Sequence, residues 1–306
     1  MPLIYSIIAP LIIISSVAVY QGEAFTAIET ARLLQNCMLI AGIGTLLQLY
    51  PIRKIGSGLP VVMGISFTFL AACLATASQD YGIMVGAIIV GGCFEGVLGL
   101  TAKYWRKIIS PIVSACVVVS IGLSILNVGV SSFGSSSAYP LGSWQNLLVA
   151  TITLAAALSG GVFGCSPITS FSQNVGLISM THVVNRFTIM FGALAMILGG
   201  LFPPIGAFFT TLPNCVLGGC TVIMFGSIMM SGVRMMHDAG MDQRNTLIAA
   251  TSICLGVGVT QVDGFFNELP SFIGDIFAGN MVAGVFVVGL ILDLCLPRDP
   301  SHYTSM

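Results

Sequence analysis

Gln173 and Asn174 are the residues in this 306-residue chain with the most chemistry to offer. A carboxamide donates and accepts at once, so it can read adjacent N–H and C=O groups on a small polar solute. Two neighbouring amides inside an apolar chain are costly unless something binds them. They sit in the run Cys-Ser-Pro-Ile-Thr-Ser-Phe-Ser-Gln-Asn-Val-Gly-Leu-Ile-Ser-Met-Thr, residues 165–181. Pro167 and the Ser/Thr residues after it predict non-helical backbone leading into a half-helix that starts at the two amides. Transporters hold polar solutes near the bilayer midplane on broken segments of this kind. At that terminus Ser172 can present its backbone N–H, where partial positive charge favours a carbonyl oxygen. Asn174 is suited to orienting Gln173 and capping the half-helix.

A second interrupted segment echoes the first. Pro60 stands six residues before Ser66 and seven before Phe67, as Pro167 does before Gln173 and Asn174. Broken segments at equivalent places in two inverted halves are the best sequence pointer to a transporter's binding site. Gly64 and Ser66 offer room for close approach and backbone polar groups. Phe67 offers either a flat apolar face or ordinary packing.

The elements that position these residues are membrane spans. The chain is 56% hydrophobic and 7% charged, against about 25% charged for an ordinary soluble domain. An all-α polytopic membrane protein follows. A net charge of −1 and the absence of any basic patch argue against a nucleic-acid partner. The nine cysteines form no Cys-x-x-Cys pair and read as small buried hydrophobes, and the three histidines are scattered. No metal site, cofactor or nucleophile–base pair is expected, so the chain does not read as an enzyme. The N-terminus opens on an apolar run without a basic segment, so no cleavable signal is expected.

Runs long enough to cross fall at 4–20, 33–50, 81–101, 111–130, 146–164, 187–209, 215–236, 246–260 and 275–296, with interrupted runs at 59–78 and 166–181. This makes about 10–11 membrane segments, a straight span needing roughly 20 residues. Charge orients them. With Arg53, Lys54, Lys103, Arg106, Lys107, Arg186, Arg234, Arg244 and Arg298 in the cytoplasm, only Arg32 of the basic residues lies outside. The pattern then exposes a parity fault. Residues 131–143 and the start of 166–181 must both lie outside, yet the single run 146–164 separates them. Either that run re-enters, or an odd number of spans is missing there. Glu95 lies mid-span, where a carboxylate is a functional candidate by default, although a protonated or paired structural role fits it better. Asp275 and Asp293, near the ends of the last span, read as solvated or structural.

Gln173-Asn174-Val175-Gly176-Leu177-Ile178-Ser179-Met180-Thr181 resembles the signature of the nucleobase–ascorbate transporter family, also called nucleobase:cation symporter-2. That signature reads Gln, Glu or Pro, then Asn, any residue, Gly, four of any kind and Thr, usually followed by Arg, Lys or Gly. His182 departs from it at the last place. Gly64-Ile65-Ser66-Phe67-Thr68-Phe69 looks like the family's third span, and Leu212–Gly219 like the start of its twelfth. Family members have fourteen spans in two inverted repeats of seven. Laid on that plan, residues 1–20 look like the later part of span one, 21–158 like spans two to six, and 159–297 like the end of span nine through fourteen. Spans seven, eight and most of nine have no counterpart, with the junction near Ala156–Ser159. The parity fault, read from charge, falls at the same place.

The resemblance implies a multi-pass plasma-membrane permease carrying a purine base, xanthine or uric acid, with H⁺ or Na⁺ as coupling ion. It implies that Gln173 reads an oxopurine edge, that Phe67 stacks on the base, and that Ser172, Asn174 and Ser66 complete the contacts. Gly176, Thr181 and Gly64 then support the motif. A Glu at the signature's first place goes with uracil; uracil or another nucleobase is the alternative substrate. The implied architecture is an incomplete core domain (1–103 and 159–212), an incomplete gate domain (104–158 and 213–297) that forms a homodimer, and a cytoplasmic tail (298–306). The family's span-eight carboxylates, which bind the base and are linked to coupling, match nothing here. Poor or absent transport is therefore expected. The competing expectation is a non-transporting membrane protein, either a truncated product or a partner of an intact permease.

Overall fold

Thr26 shows how this apolar chain starts its first described helix. Its hydroxyl accepts the Glu29 N–H at 3.3 Å, and the Glu29 carboxylate accepts the Thr26 N–H at 2.9 Å, a reciprocal capping box. The resulting helix α1 (Ala27–Leu49) begins six residues before the apolar run predicted from 33. The computed structural model describes residues 26–52, 81–105, 108–134, 139–162, 186–262 and 280–297. It also describes positions 11, 14, 56, 58, 62–64, 73, 265, 266, 274, 276 and 277. The regular elements among the described residues are all α-helices: α2 (Tyr81–Trp105), α3 (Pro111–Ser124), α4 (Leu126–Gly134), α5 (Trp144–Val162), α6 (Arg186–Leu201), α7 (Pro203–Thr210), α8 (Asn214–Asp238), α9 (Gln243–Gln261) and α10 (Met281–Cys295). The all-α polytopic fold read from composition is the fold observed.

Four helical stretches are long and apolar enough to cross a membrane: Ile28–Leu49 in α1, Gly82–Thr101 in α2, Pro111–Gly134 over α3 and α4, and Cys215–Asp238 in α8. Shorter apolar helices cover Trp144–Ala155, Ile189–Leu201 and Met281–Cys295. The run 187–209, read as one span, is two helices. Pro203 has no N–H with which to continue α6, and the residue before a proline is pushed out of the helical region. Phe202 still donates its N–H to the Leu198 carbonyl at 3.1 Å, and α7 starts one residue later. At the other end of the chain, α10 is opened by the Asn280 side chain, which accepts the Ala283 N–H at 3.2 Å.

The chain forms two compact units, residues 1–80 with 125–227 and residues 81–124 with 228–306. In the first, α1 and α6 cross closely because glycines remove the side chains between them. A Cβ on Gly42 would lie 2.9 Å from the Ala193 carbonyl oxygen, and one on Gly200 would lie 2.8 Å from that of Gln35. Small residues at such crossings are what helix association in lipid relies on, since apolar burial gives little drive there. Ala41, Val62, Ala193 and Met196 form the buried cluster at this crossing. Elsewhere in the unit, Gly219 lets α8 approach α5, a Cβ there falling 2.8 Å from the Ala150 carbonyl oxygen. Asn146 is buried and donates to the carbonyls of Gly134 (3.0 Å) and Pro140 (3.1 Å), which ties the loop before α5 to the end of α4.

The second unit packs α3, α9 and α10 around Ile112, Val113, Cys116, Ile248 and Val285. Gly256 permits the α9–α10 approach, since a Cβ there would lie 2.7 Å from the Val285 backbone nitrogen. Asp293 is buried and structural. Arg244 at the start of α9 reaches its Oδ1 at 2.9 Å and donates as well to the Asp293 and Leu296 carbonyls at 2.6 and 3.2 Å. One side chain thus neutralises a buried carboxylate and satisfies carbonyls at the end of α10. By contrast α2 is exposed from Val85 to Thr101: its glycines 86, 91, 92, 96 and 99 have nothing within 4 Å of a built Cβ.

Candidate functional site

The described part of the candidate site is the beginning of the 59–78 segment, residues 62–64, and it is built on α1. After Leu49 the chain turns back along its own helix. Gly56 (φ +95°) and Gly58 (φ +69°) take left-handed backbone, which side chains disfavour. A Cβ on Gly56 would overlap the Leu47 carbonyl oxygen. The Gly58 N–H donates to the Gln48 carbonyl at 3.0 Å, closing the turn.

Residues 62–64 follow in non-helical conformation. Their backbone groups therefore need partners from outside the segment, because buried N–H groups are almost always paired. Thr45 supplies one. Its fully buried hydroxyl accepts the Met63 N–H at 2.9 Å while donating to the Ala41 carbonyl at 2.7 Å. The Met63 carbonyl lies 3.3 Å from the same oxygen. Gly44, one residue earlier, keeps the approach open: a Cβ there would sit 3.4 Å from Met63 Cβ. Val62 is buried against the α1–α6 crossing.

Helix α1 therefore contacts two described stretches that flank the candidate segments in sequence. One part of it holds residues 62–64, which precede Ser66 and Phe67. Another packs on α6, which begins at Arg186, five residues beyond Thr181. The 59–78 segment was read as interrupted, and residues 62–64 in it are non-helical. Thr45 was not foreseen. A threonine in an apolar helix reads as filler that bonds back to its own turn, which it also does here. Its long-range bond to residue 63 has no signature in the sequence.

Among the predicted site residues, Gly64 is described: half-buried, non-helical and directly after the pinned Met63. Glu95 lies exposed on α2, in the other compact unit. Ser66, Phe67, Ser172, Gln173, Asn174, Gly176 and Thr181 lie outside the described residues. Among the described residues there is no group of three or more His, Cys, Asp and Glu that could hold a metal ion. The parity question falls on α5 and the stretch after it. Helix α5 runs from Trp144 to Val162, and 163–185 lie outside the described residues.

Known proteins align along nearly all of this chain. The putative purine permease CPE0397 of Clostridium perfringens (strain 13 / Type A) is 26% identical over 404 aligned positions, covering 96% of this chain and 88% of its own length. The xanthine permease XanQ of Escherichia coli (strain K12) is 26% identical over 89% of this chain and 85% of its own. The xanthine permease of Bacillus subtilis (strain 168) is 27% identical over 92% of this chain and 88% of its own. The sequence model of the Permease family, Xan_ur_permease, matches in two segments, residues 4–160 and 157–265. With those segments covering most of its length, this chain is a membrane protein that belongs to the Permease family.

Proposed function

We propose that this chain is a purine-nucleobase permease by descent that still recognises xanthine or uric acid but no longer completes transport. Gln173 reads the oxopurine edge and Phe67 stacks on the ring. Ser172, Asn174 and Ser66 complete the contacts, and Gly64, Gly176 and Thr181 shape the two broken segments. The chain resides in the plasma membrane and dimerises through its gate-like parts, 104–158 and 213–297. In an intact permease of this lineage H⁺ or Na⁺ drives uptake. Here the carboxylates linked to coupling have no counterpart.

One observation carries the reading. The family match breaks into two segments that meet at residues 157–160, the place where the charge pattern loses its parity. The alignment to the Clostridium perfringens relative points the same way: 96% of a 306-residue chain spread over 404 positions leaves roughly a quarter of those positions opposite a gap. Losing a charged hydrogen bond to the base weakens binding by about 1.5–3 kcal/mol, or roughly ten- to a hundredfold. Recognition therefore persists in weakened form, while a transport cycle that needs both repeats does not.

The test is saturable binding of radiolabelled xanthine to the purified full chain, with Gln173→Ala beside it. Weak saturable binding that Gln173→Ala abolishes is the expected result. Binding indifferent to Gln173→Ala refutes the assignment of the site. Absence of saturable binding favours the second reading, a non-transporting membrane protein that associates with intact relatives.

A further inference from the structure

We propose that Thr45 is a positioning residue for the candidate purine site, setting the place from which the Ser66–Phe67 segment departs. The inference rests on the reading of that segment as half of the site. Three features carry it. Thr45 is fully buried on α1, so its hydroxyl has no water to fall back on. It accepts the Met63 N–H at 2.9 Å, across eighteen residues of chain. It is itself fixed by donating to the Ala41 carbonyl at 2.7 Å, so the acceptor lone pair offered to Met63 has a set direction.

The consequence follows from covalent geometry. Phe67 is three residues beyond Gly64, which keeps the two Cα atoms within about 11 Å of each other. A backbone pinned at Met63 therefore limits where Ser66 and Phe67 can be presented. An unpinned one leaves the segment a choice of registers and lowers the fraction of molecules ready to bind. The surroundings favour one fixed register. Val62 is packed into the α1–α6 crossing, and Gly44 leaves room for Met63 to lie against the helix. Thr45 touches no ligand in this scheme; it acts through the Met63 amide.

The experiment compares xanthine affinity in the purified full chain, unaltered and as Thr45→Val, Thr45→Ala and Thr45→Ser, with the melting temperature of each ligand-free protein. Val keeps the shape and loses the hydroxyl, Ala loses both, and Ser keeps the hydroxyl. Losing one neutral hydrogen bond predicts roughly three- to tenfold weaker xanthine binding in the Val and Ala variants. Thr45→Ser is expected to stay within about twofold of the unaltered chain. Amide exchange at residue 63 is expected to accelerate in Val and Ala and not in Ser. Should one of the two hydroxyl-less variants fail to fold, the other carries the comparison, and should both fail the role is structural and the inference falls. Val and Ala variants that melt lower yet bind xanthine as the unaltered chain does also make Thr45 merely structural and overturn the inference alone. No xanthine binding by the unaltered chain overturns the purine reading, and the inference with it.

Discussion

Asp293→Ala is expected to be among the most damaging single substitutions in the second unit. The Asp293 side chain is 0% exposed and that of Arg244 is 18% exposed, so the partners meet with little solvent to screen them. Removing the carboxylate leaves the guanidinium in place, held by the carbonyls of residues 293 and 296 but without its counter-charge. Breaking a buried pair from one side costs about 3–5 kcal/mol, far more than an exposed pair is worth. For a unit of this size that corresponds to a fall in Tm of roughly 12–20 °C. Replacing both partners, as Arg244→Met with Asp293→Leu, removes the orphaned charge together with the pair. The double variant is expected to lose less than the sum of the two single ones, with an interaction of roughly 0.5–3 kcal/mol. The assay is thermal unfolding of the detergent-solubilised chain followed by size-exclusion chromatography with fluorescence detection. An Asp293→Ala protein within 2 °C of the unaltered chain, or a strictly additive double variant, would refute the reasoning.

Other substitutions follow from the same contacts. Gly200→Val drives a branched side chain into the backbone of α1 and is expected to cost about 1–3 kcal/mol, read as a lower melting temperature. Gly96→Ala on exposed α2 meets nothing and is expected to hold or raise that temperature, by up to about 1 kcal/mol of helix propensity. Thr26→Ala removes one half of the α1 capping box and is expected to cost about 1 kcal/mol, seen as faster amide exchange in the first turn of α1.

The spans were legible because lipid leaves little choice: an apolar run that must satisfy its own backbone becomes a helix. Their ends were less so. The apolar run after Arg32 hid a helix start at Ala27, because the Thr26–Glu29 box lies in polar residues that a hydropathy reading discounts. The break after Leu201 was signalled by Pro203-Pro204 and overridden by the apolar character of 187–209. Asp293 read as either solvated or structural from its place near the end of a span; its partner Arg244 lies 49 residues away and no local pattern joins them. The candidate site divides in the same way. The run 59–78 read as interrupted, whereas the hydroxyl that holds its residue 63 stands on α1, inside a run where threonine carries no distinguishing mark.

The most direct measurement is uptake of radiolabelled xanthine by permease-null cells making this chain. The xanthine permease of Bacillus subtilis, brought to equal membrane abundance, serves as the comparison. On the proposed reading, in which Gln173 forms one half of a purine site whose carboxylate half is missing, the chain is predicted to give no concentrative accumulation above the empty-cell background. Robust concentrative uptake by this chain alone would contradict the interruption at 157–160 as a loss of function.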